Sequence, residues 1–182
     1  MRVLISAFES FDGRNINISE EVLKLLDDNY YKVLIPVSYN KCFDILKEKI
    51  SNINPDIIIC LGEAIKREEI TIESRAINLR SASISDNDGI KYENETIIDG
   101  KDEYLYSTLP IEKIISNTNI KESNSAGTYV CNNLLFELLN YNNSLNNKKL
   151  CGFIHLPRLE VYKSYIEIKE QLEKCIKLVM ED

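Results

Sequence analysis

Residues 56–62 read DIIICLG, a continuous apolar run bracketed by Pro55 and a closing glycine. A strand with one wet face alternates apolar and polar residues, whereas a strand covered on both faces has no polar side and reads as an unbroken run. The stretch therefore predicts a central strand of a parallel sheet with helices on both faces. Two earlier runs, RVLISAF (2–8) and YKVLIPV (31–37), have the same β-branched character, and each precedes helical spacing, over about 18–28 and about 39–52. Strand and helix alternating in this way indicate an α/β fold.

Downstream, EEITIESRAINLR (68–80) alternates, with Ile70, Ile72, Ser74 and Ala76 on one face and Thr71, Glu73, Arg75 and Ile77 on the other. It predicts one strand with a wetter face. The polar stretch 81–103 carries turn signals at Asp88-Gly89 and Asp99-Gly100, which predicts a long surface loop holding a small hairpin. Pro110 suits the first position of a helix running to about Asn117, because its missing N–H costs nothing there. After a short extended piece, the spacing predicts a helix over 130–141, LCGFIHLP is a final buried strand, and 160–180 is an amphipathic helix. With no internal repeat or linker, the expectation is a single three-layer α/β/α domain over 1–182, built on a mainly parallel, twisted open sheet.

Of the 182 residues, 44% are hydrophobic and 28% charged, the composition of an ordinary globular protein. The net charge of −7 repels phosphate backbones and anionic headgroups, so neither nucleic acid nor a membrane is the expected partner. The N-terminus has no signal-peptide core and the chain no apolar span of membrane length, so the expected location is cytoplasmic. Five cysteines, an odd number with no CxxC pair, fit neither a disulfide framework nor a zinc knuckle. One histidine cannot build a multi-histidine metal site, and no phosphate loop, dinucleotide fingerprint or EF-hand occurs. No metal or cofactor is expected.

Ligand and reaction sites of such sheets gather outside the carboxyl ends of the strands. Two reactive side chains fall there. Cysteine is among the most buried residue types, and packing accounts for Cys60 and Cys151 in strand runs and for Cys42 and Cys175 in helical ones. Cys131 differs by position. It follows Ala126-Gly127, a turn, and falls in the first turn of a helix, where unpaired N–H groups and the helix dipole favour a thiolate and are able to hold an oxyanion. His155 sits at a strand end that Pro157 helps stop. It is either a satisfied edge histidine or, if the chemistry is that of a cysteine hydrolase, the base. A third group to orient its ring cannot be chosen from 29 acids; Glu73 is one candidate, with an ion pair to Arg75 as its ordinary explanation.

Four stretches together resemble the cysteine-type pyroglutamyl peptidases, also called pyrrolidone-carboxylate peptidases: AFESFDGRNINIS (7–19), PDIIICLGEAIKREEITIESRAINLRSASISDNDG (55–89), SNSAGTYVCN (123–132) and GFIHLP (152–157). The resemblance implies a Cys131–His155–Glu73 triad that removes an N-terminal 5-oxoproline from a peptide through a thioester. It also implies a pocket for the neutral lactam ring formed by Phe8, Phe11, Asn17, Glu63, Tyr129 and Val130, no cofactor, peptide substrates with a blocked N-terminus, and a homodimer or homotetramer. Residues 62–67, GEAIKR, stand where the family favours a glycine-rich run with glutamine at the position of Glu63, and Ser83 and Ser85 replace an arginine and a proline. Two other readings fit the same residues: a cysteine amidohydrolase with an altered substrate, and a non-catalytic binding module that retains the fold.

Overall fold

In chain order the elements are β1 (Val3–Phe8), α1 (Ile18–Leu25), β2 (Tyr31–Ile35), α2 (Cys42–Ile53), β3 (Ile57–Glu63), β4 (Thr71–Glu73), β5 (Arg75–Ile77), β6 (Tyr104–Tyr106), α3 (Ile111–Asn117), β7 (Lys121–Ser123), α4 (Val130–Ser144), β8 (Leu150–Leu156) and α5 (Tyr165–Met180). They come from a computed structural model, which describes residues 1–159 and 164–181. Residues 160–163, the expected start of the last helix, lie outside the described residues.

The apolar run forms β3, flanked by β1 and β8 in parallel pairing, within a six-stranded sheet of order β2-β1-β3-β8-β4-β7. Its lack of alternation has the expected cause. Ile57, Ile59 and Leu61 point into a core shared with α1, α3 and α5, while Ile58 and Cys60 point into one shared with α2 and α4. The sheet is mostly parallel, with β4 antiparallel to β8 and parallel to β7.

Local chemistry sets the helix ends. Asn17 caps α1 by accepting the Ser19 N–H at 2.9 Å, and Glu20 and Glu21 face the positive end of its dipole. The helix stops at Leu25, short of the expected 28. α2 ends where Asn54 turns left-handed at φ 47°, one residue before Pro55. Pro110 precedes α3 as its cap, and α4 runs three residues past the expected end.

The expected single strand over 68–80 divides instead at Ser74. β4 joins the main sheet, and β5 pairs with β6 in a separate antiparallel ribbon. Ser74 donates N–H and hydroxyl to the Ser123 carbonyl and accepts the Ser107 N–H, which fixes the bend. The chain crosses between faces here: Ile70 and Ile72 belong to the core under α1 and α5, Ala76 to the core under α4. Alternation records side direction and is blind to such a crossing. The stretch after β5 is a long loop, closed by a single Arg80–Glu95 bridge rather than a hairpin.

Candidate active site

The chain reaches Cys131 through a turn that only Gly127, at φ 77°, makes without strain. Cys131 is the second residue of α4, whose cap, Tyr129, offers no side-chain hydrogen bond. The helical ladder opens with Asn133 N–H to the Tyr129 carbonyl, so the N–H groups of Val130, Cys131 and Asn132 precede the first intrahelical bond. Asn132 anchors this turn: its amide donates to the Ile77 and Leu79 carbonyls at 2.9 Å and accepts the Ile77 N–H at 3.0 Å. The thiol occupies room that Gly62 leaves. A Cβ at 62 would stand 3.0 Å from Cys131 Sγ and 2.7 Å from Phe153 Cζ.

The helix terminus does not make this thiol acidic. Burial pushes it up to about 12, the Glu73 carboxylate adds to the rise, and Arg67 and the residue's own N–H pull only weakly the other way. Desolvation and the Glu73 carboxylate thus push the thiol in the direction opposite to the thiolate expected from the helix terminus.

Opposite Gly62 in the β3–β8 register stands His155, 4% exposed, its ring centroid 4.7 Å from that of Phe153. Its Nδ1 lies 2.7 Å from Glu73 Oε1. Glu73 is wholly buried, the reverse of the wet face expected for it, and two partners account for the burial. The same Oε1 that faces the imidazole also accepts from Arg67 Nη1 at 2.5 Å, and Arg67 further donates to Thr71 Oγ1 and, at 2.8 Å, to the Ser125 carbonyl. Arg75 is not the partner of Glu73. It donates to the Asn124 carbonyl and stacks over Tyr104 at 4.3 Å. Burial holds the imidazole below its usual 6.5, with Glu73 opposing and Arg67 reinforcing that shift. With Nδ1–H donated to the carboxylate, Nε2 of the neutral ring carries the lone pair of a base.

Beside Cys131 opens a small cavity of about 40 Å³ lined by Phe8, Phe11, Asn17, Val37, Glu63, Tyr129, Val130 and Cys131. One water takes roughly 10–15 Å³ on that measure, so the space suits one small ring. Phe8, Phe11, Val37, Tyr129 and Val130 make its wall largely apolar. Tyr129 is held by its hydroxyl, which donates to the Ser85 carbonyl at 2.9 Å, and by an edge contact with Tyr39 at 5.6 Å. The side chain of Asn17 is spent on the loop it closes: it donates to the Glu9 carbonyl and accepts from Ser19. Glu63 meets Arg14 Nη1 at 2.6 Å through Oε1 and accepts the Ile18 N–H at 3.1 Å through Oε2.

All nine residues singled out from the sequence thus fall in one neighbourhood, six lining the cavity beside Cys131 and two, His155 and Glu73, joined behind it. Ser83, exposed on the loop, stands apart. Arg67, Arg14 and Val37 went unrecognised. Arg67, six residues before Glu73, reaches it only because the β3–β4 connection folds back, Arg14 reaches Glu63 across 49 residues, and Val37 bears no chemistry, so no local pattern signals any of the three. Among the described residues no cluster of His, Cys, Asp and Glu fit to hold a metal ion occurs, and no helix is long and apolar enough to cross a membrane.

The model of one protein family, pyroglutamyl peptidase, matches residues 1–171. A pyrrolidone-carboxylate peptidase of Thermosipho melanesiensis is 42% identical over 168 residues, covering 86% of this chain and 83% of that relative. One from Caldanaerobacter subterraneus is 35% identical over 99% of this chain and 98% of its own length. Among solved structures, pyroglutamyl peptidase I of Bacillus amyloliquefaciens superposes with a TM-score of 0.93 at 30% identity, over 100% of this chain and 97% of that one. The pyrrolidone carboxyl peptidase of Pyrococcus furiosus gives 0.92 at 32% identity, over 100% and 99%.

Proposed function

The chain belongs to the pyroglutamyl peptidase family, cysteine peptidases that remove N-terminal pyroglutamate, and on that premise we propose that Cys131 is its nucleophile, His155 its general base and acid, and Glu73 the group that orients His155. The observation that carries this reading is that Cys131 forms part of the wall of a ring-sized cavity and packs against Gly62, whose register partner on β8, His155, meets Glu73 of β4. The lactam ring of the substrate occupies the cavity between Phe8, Phe11 and Tyr129, a largely apolar wall whose one carboxylate, Glu63, has both oxygens already bonded. The carbonyl carbon of the scissile amide, which hangs from the ring and is not part of it, then lies at Sγ.

With substrate in place, His155 Nε2 takes the thiol proton as Sγ attacks the carbonyl carbon, so charge separates only when it is used. The oxyanion forms against the N–H groups of the first turn of α4. Glu73 accepts Nδ1–H throughout and stabilises the imidazolium, and Arg67 keeps that carboxylate from standing alone in the core. Nε2–H passes to the leaving amine, the C–N bond breaks and the thioester remains. Water, deprotonated by the same nitrogen, cleaves it to release 5-oxoproline and restore the thiol.

Five free cysteines, four of them buried, fit a reducing compartment, in keeping with a cytoplasmic enzyme acting on peptides with a blocked N-terminus. A homo-oligomer is in keeping with exposed apolar side chains such as Ile16, Tyr106 and Ile166, and light scattering on the purified protein tests it. The reaction is tested with a fluorogenic 5-oxoprolyl amide. Release by the wild type that disappears in Cys131→Ala is the expected result, and equal release by both sinks the assignment.

A further inference from the structure

Glu63 places a carboxylate, its side chain 3% exposed, in the wall of the ring cavity. Left alone there it would confront a neutral ligand with a desolvated negative charge. Arg14 supplies the balance from outside. It does not line the cavity; it borders a neighbouring cleft of about 250 Å³ that shares only Glu63 with it, and its side chain is 33% exposed. The turn that brings it there is tight. Asp12 and Gly13 both have positive φ, 55° and 67°, and the Arg14 N–H closes on the Phe11 carbonyl at 3.2 Å. The turn folds the guanidinium back over the Phe11 ring, 4.6 Å from its centroid, while Nη1 holds Glu63.

Both oxygens of Glu63 are therefore committed to the same segment, Oε1 to Arg14 and Oε2 to the Ile18 N–H at the start of α1. Asn17 ties the base of that segment to Glu9. The end of β3 is thereby fastened to the loop that carries Phe11, whose ring faces Tyr129 across the cavity at 6.2 Å. Relaxing this fastening moves one wall of the ring site and leaves the nucleophile where it is.

We propose that Arg14 is a positioning residue for substrate, acting through Glu63: it neutralises the carboxylate in the ring cavity and, through that ion pair, holds the Phe11 loop against the end of β3. The proposal rests on the cavity being the lactam site. It makes the need for Arg14 conditional on Glu63. With glutamine at 63 there is no charge to balance, and removing Arg14 costs little.

The test is a four-protein cycle of wild type, Arg14→Gln, Glu63→Gln and the double variant. The readout is the concentration of 2-pyrrolidone, a bare five-membered lactam, that halves iodoacetamide labelling of Cys131, followed by mass spectrometry. We expect that concentration to rise about tenfold in Arg14→Gln and to change no more than about twofold between Glu63→Gln and the double variant, since an unpaired buried charge costs more than a missing pair. KM for the 5-oxoprolyl amide should rise in Arg14→Gln by more than kcat falls. Equal protection in wild type and Arg14→Gln, or equal losses in both backgrounds, overturns the role of Arg14 while leaving the peptidase activity standing. A wild type that 2-pyrrolidone does not protect overturns it as well, whatever the amide assay gives. Should Arg14→Gln not fold, Glu63→Gln against the double variant decides alone, and a tenfold difference between them sinks the proposal.

Discussion

Two arginine–carboxylate pairs flank the candidate nucleophile, and they are built differently. Behind the imidazole, Glu73 gives one oxygen, Oε1, to both Arg67 and His155, while Oε2 is buried with no hydrogen-bond partner among the described residues. In the ring cavity, Glu63 divides its oxygens between Arg14 and the α1 backbone, leaving neither idle. The first arrangement joins a cation and an imidazole through one atom, so a proton arriving on His155 is felt at once by the carboxylate. The second pins two segments together and serves shape. A buried carboxylate thus handles charge or holds geometry according to how its lone pairs are spent.

The largest test of the contrast is Glu73→Gln, which keeps the packing and removes the charge. kcat for the amide should fall roughly 10³–10⁴-fold, as when the orienting carboxylate of a triad becomes an amide, while lactam protection of Cys131 shifts far less. Loss of both together would erase the distinction between the two pairs. Gly62→Ala should strike both regions, because the new methyl meets Cys131 Sγ and Phe153; a fall of about 10²-fold in kcat/KM is expected. Arg67→Gln should lower kcat by about 10–100-fold with Glu73 still in place, and should cost about 3 kcal/mol of stability in denaturant unfolding, since it strands a buried carboxylate. A variant stable and active as wild type would show that the imidazole alone supports Glu73.

The two titrating groups sharpen the charge-handling side. On the proposed mechanism the base is the neutral imidazole of His155, held below 6.5, so kcat/KM should be flat through pH 7 and fall only as pH drops through that depressed value. The same sign governs stability: the contribution of His155 is present above 6.5 and lost as pH falls through the folded value. Cys131, pushed up to about 12, should alkylate at a rate still rising beyond pH 9 in the unliganded protein. A plateau between pH 5 and 8 would instead reveal a thiolate–imidazolium pair at rest.

Glu137, in the middle of α4, is a carboxylate with no arginine in ion-pair contact among the described residues. Burial, with Asp44 adding to it, raises its pKa from 4.5 to about 7. Its stabilising contribution is full below 4.5 and disappears as pH rises through about 7. Glu137→Gln should therefore stabilise the protein at pH 8, by up to about 3 kcal/mol in denaturant unfolding, and do little at pH 4. No gain at pH 8 would mean that an unpaired carboxyl is tolerated here, and would weaken the reason given for both arginines.

Much of this was legible in the chain because local pattern carries it. The unbroken run of β3 announced a strand covered on both faces, and the turn at Gly127 followed by an apolar helix placed Cys131 in a first turn. The division at Ser74 was not legible, because alternation continues through a change of sheet. Nor did anything local separate Glu73 from 28 other acids or supply Arg67, whose role exists only where the β3–β4 connection folds back on β4.

By itself the sequence determined the α/β architecture and placed Cys131 in a first turn as the candidate nucleophile with His155 as the one available imidazole, since period, turn chemistry and scarcity are properties of the chain. Tertiary structure decided the state in which those groups wait. A thiol at a helix N-terminus reads as a thiolate from the sequence, whereas desolvation and the nearby Glu73 carboxylate, which push it the other way, exist only once the chain has folded. It decided likewise that Glu63, an unexpected charge in a site for a neutral ring, has its counter-charge in Arg14, because only the folded loop brings the two within 2.6 Å.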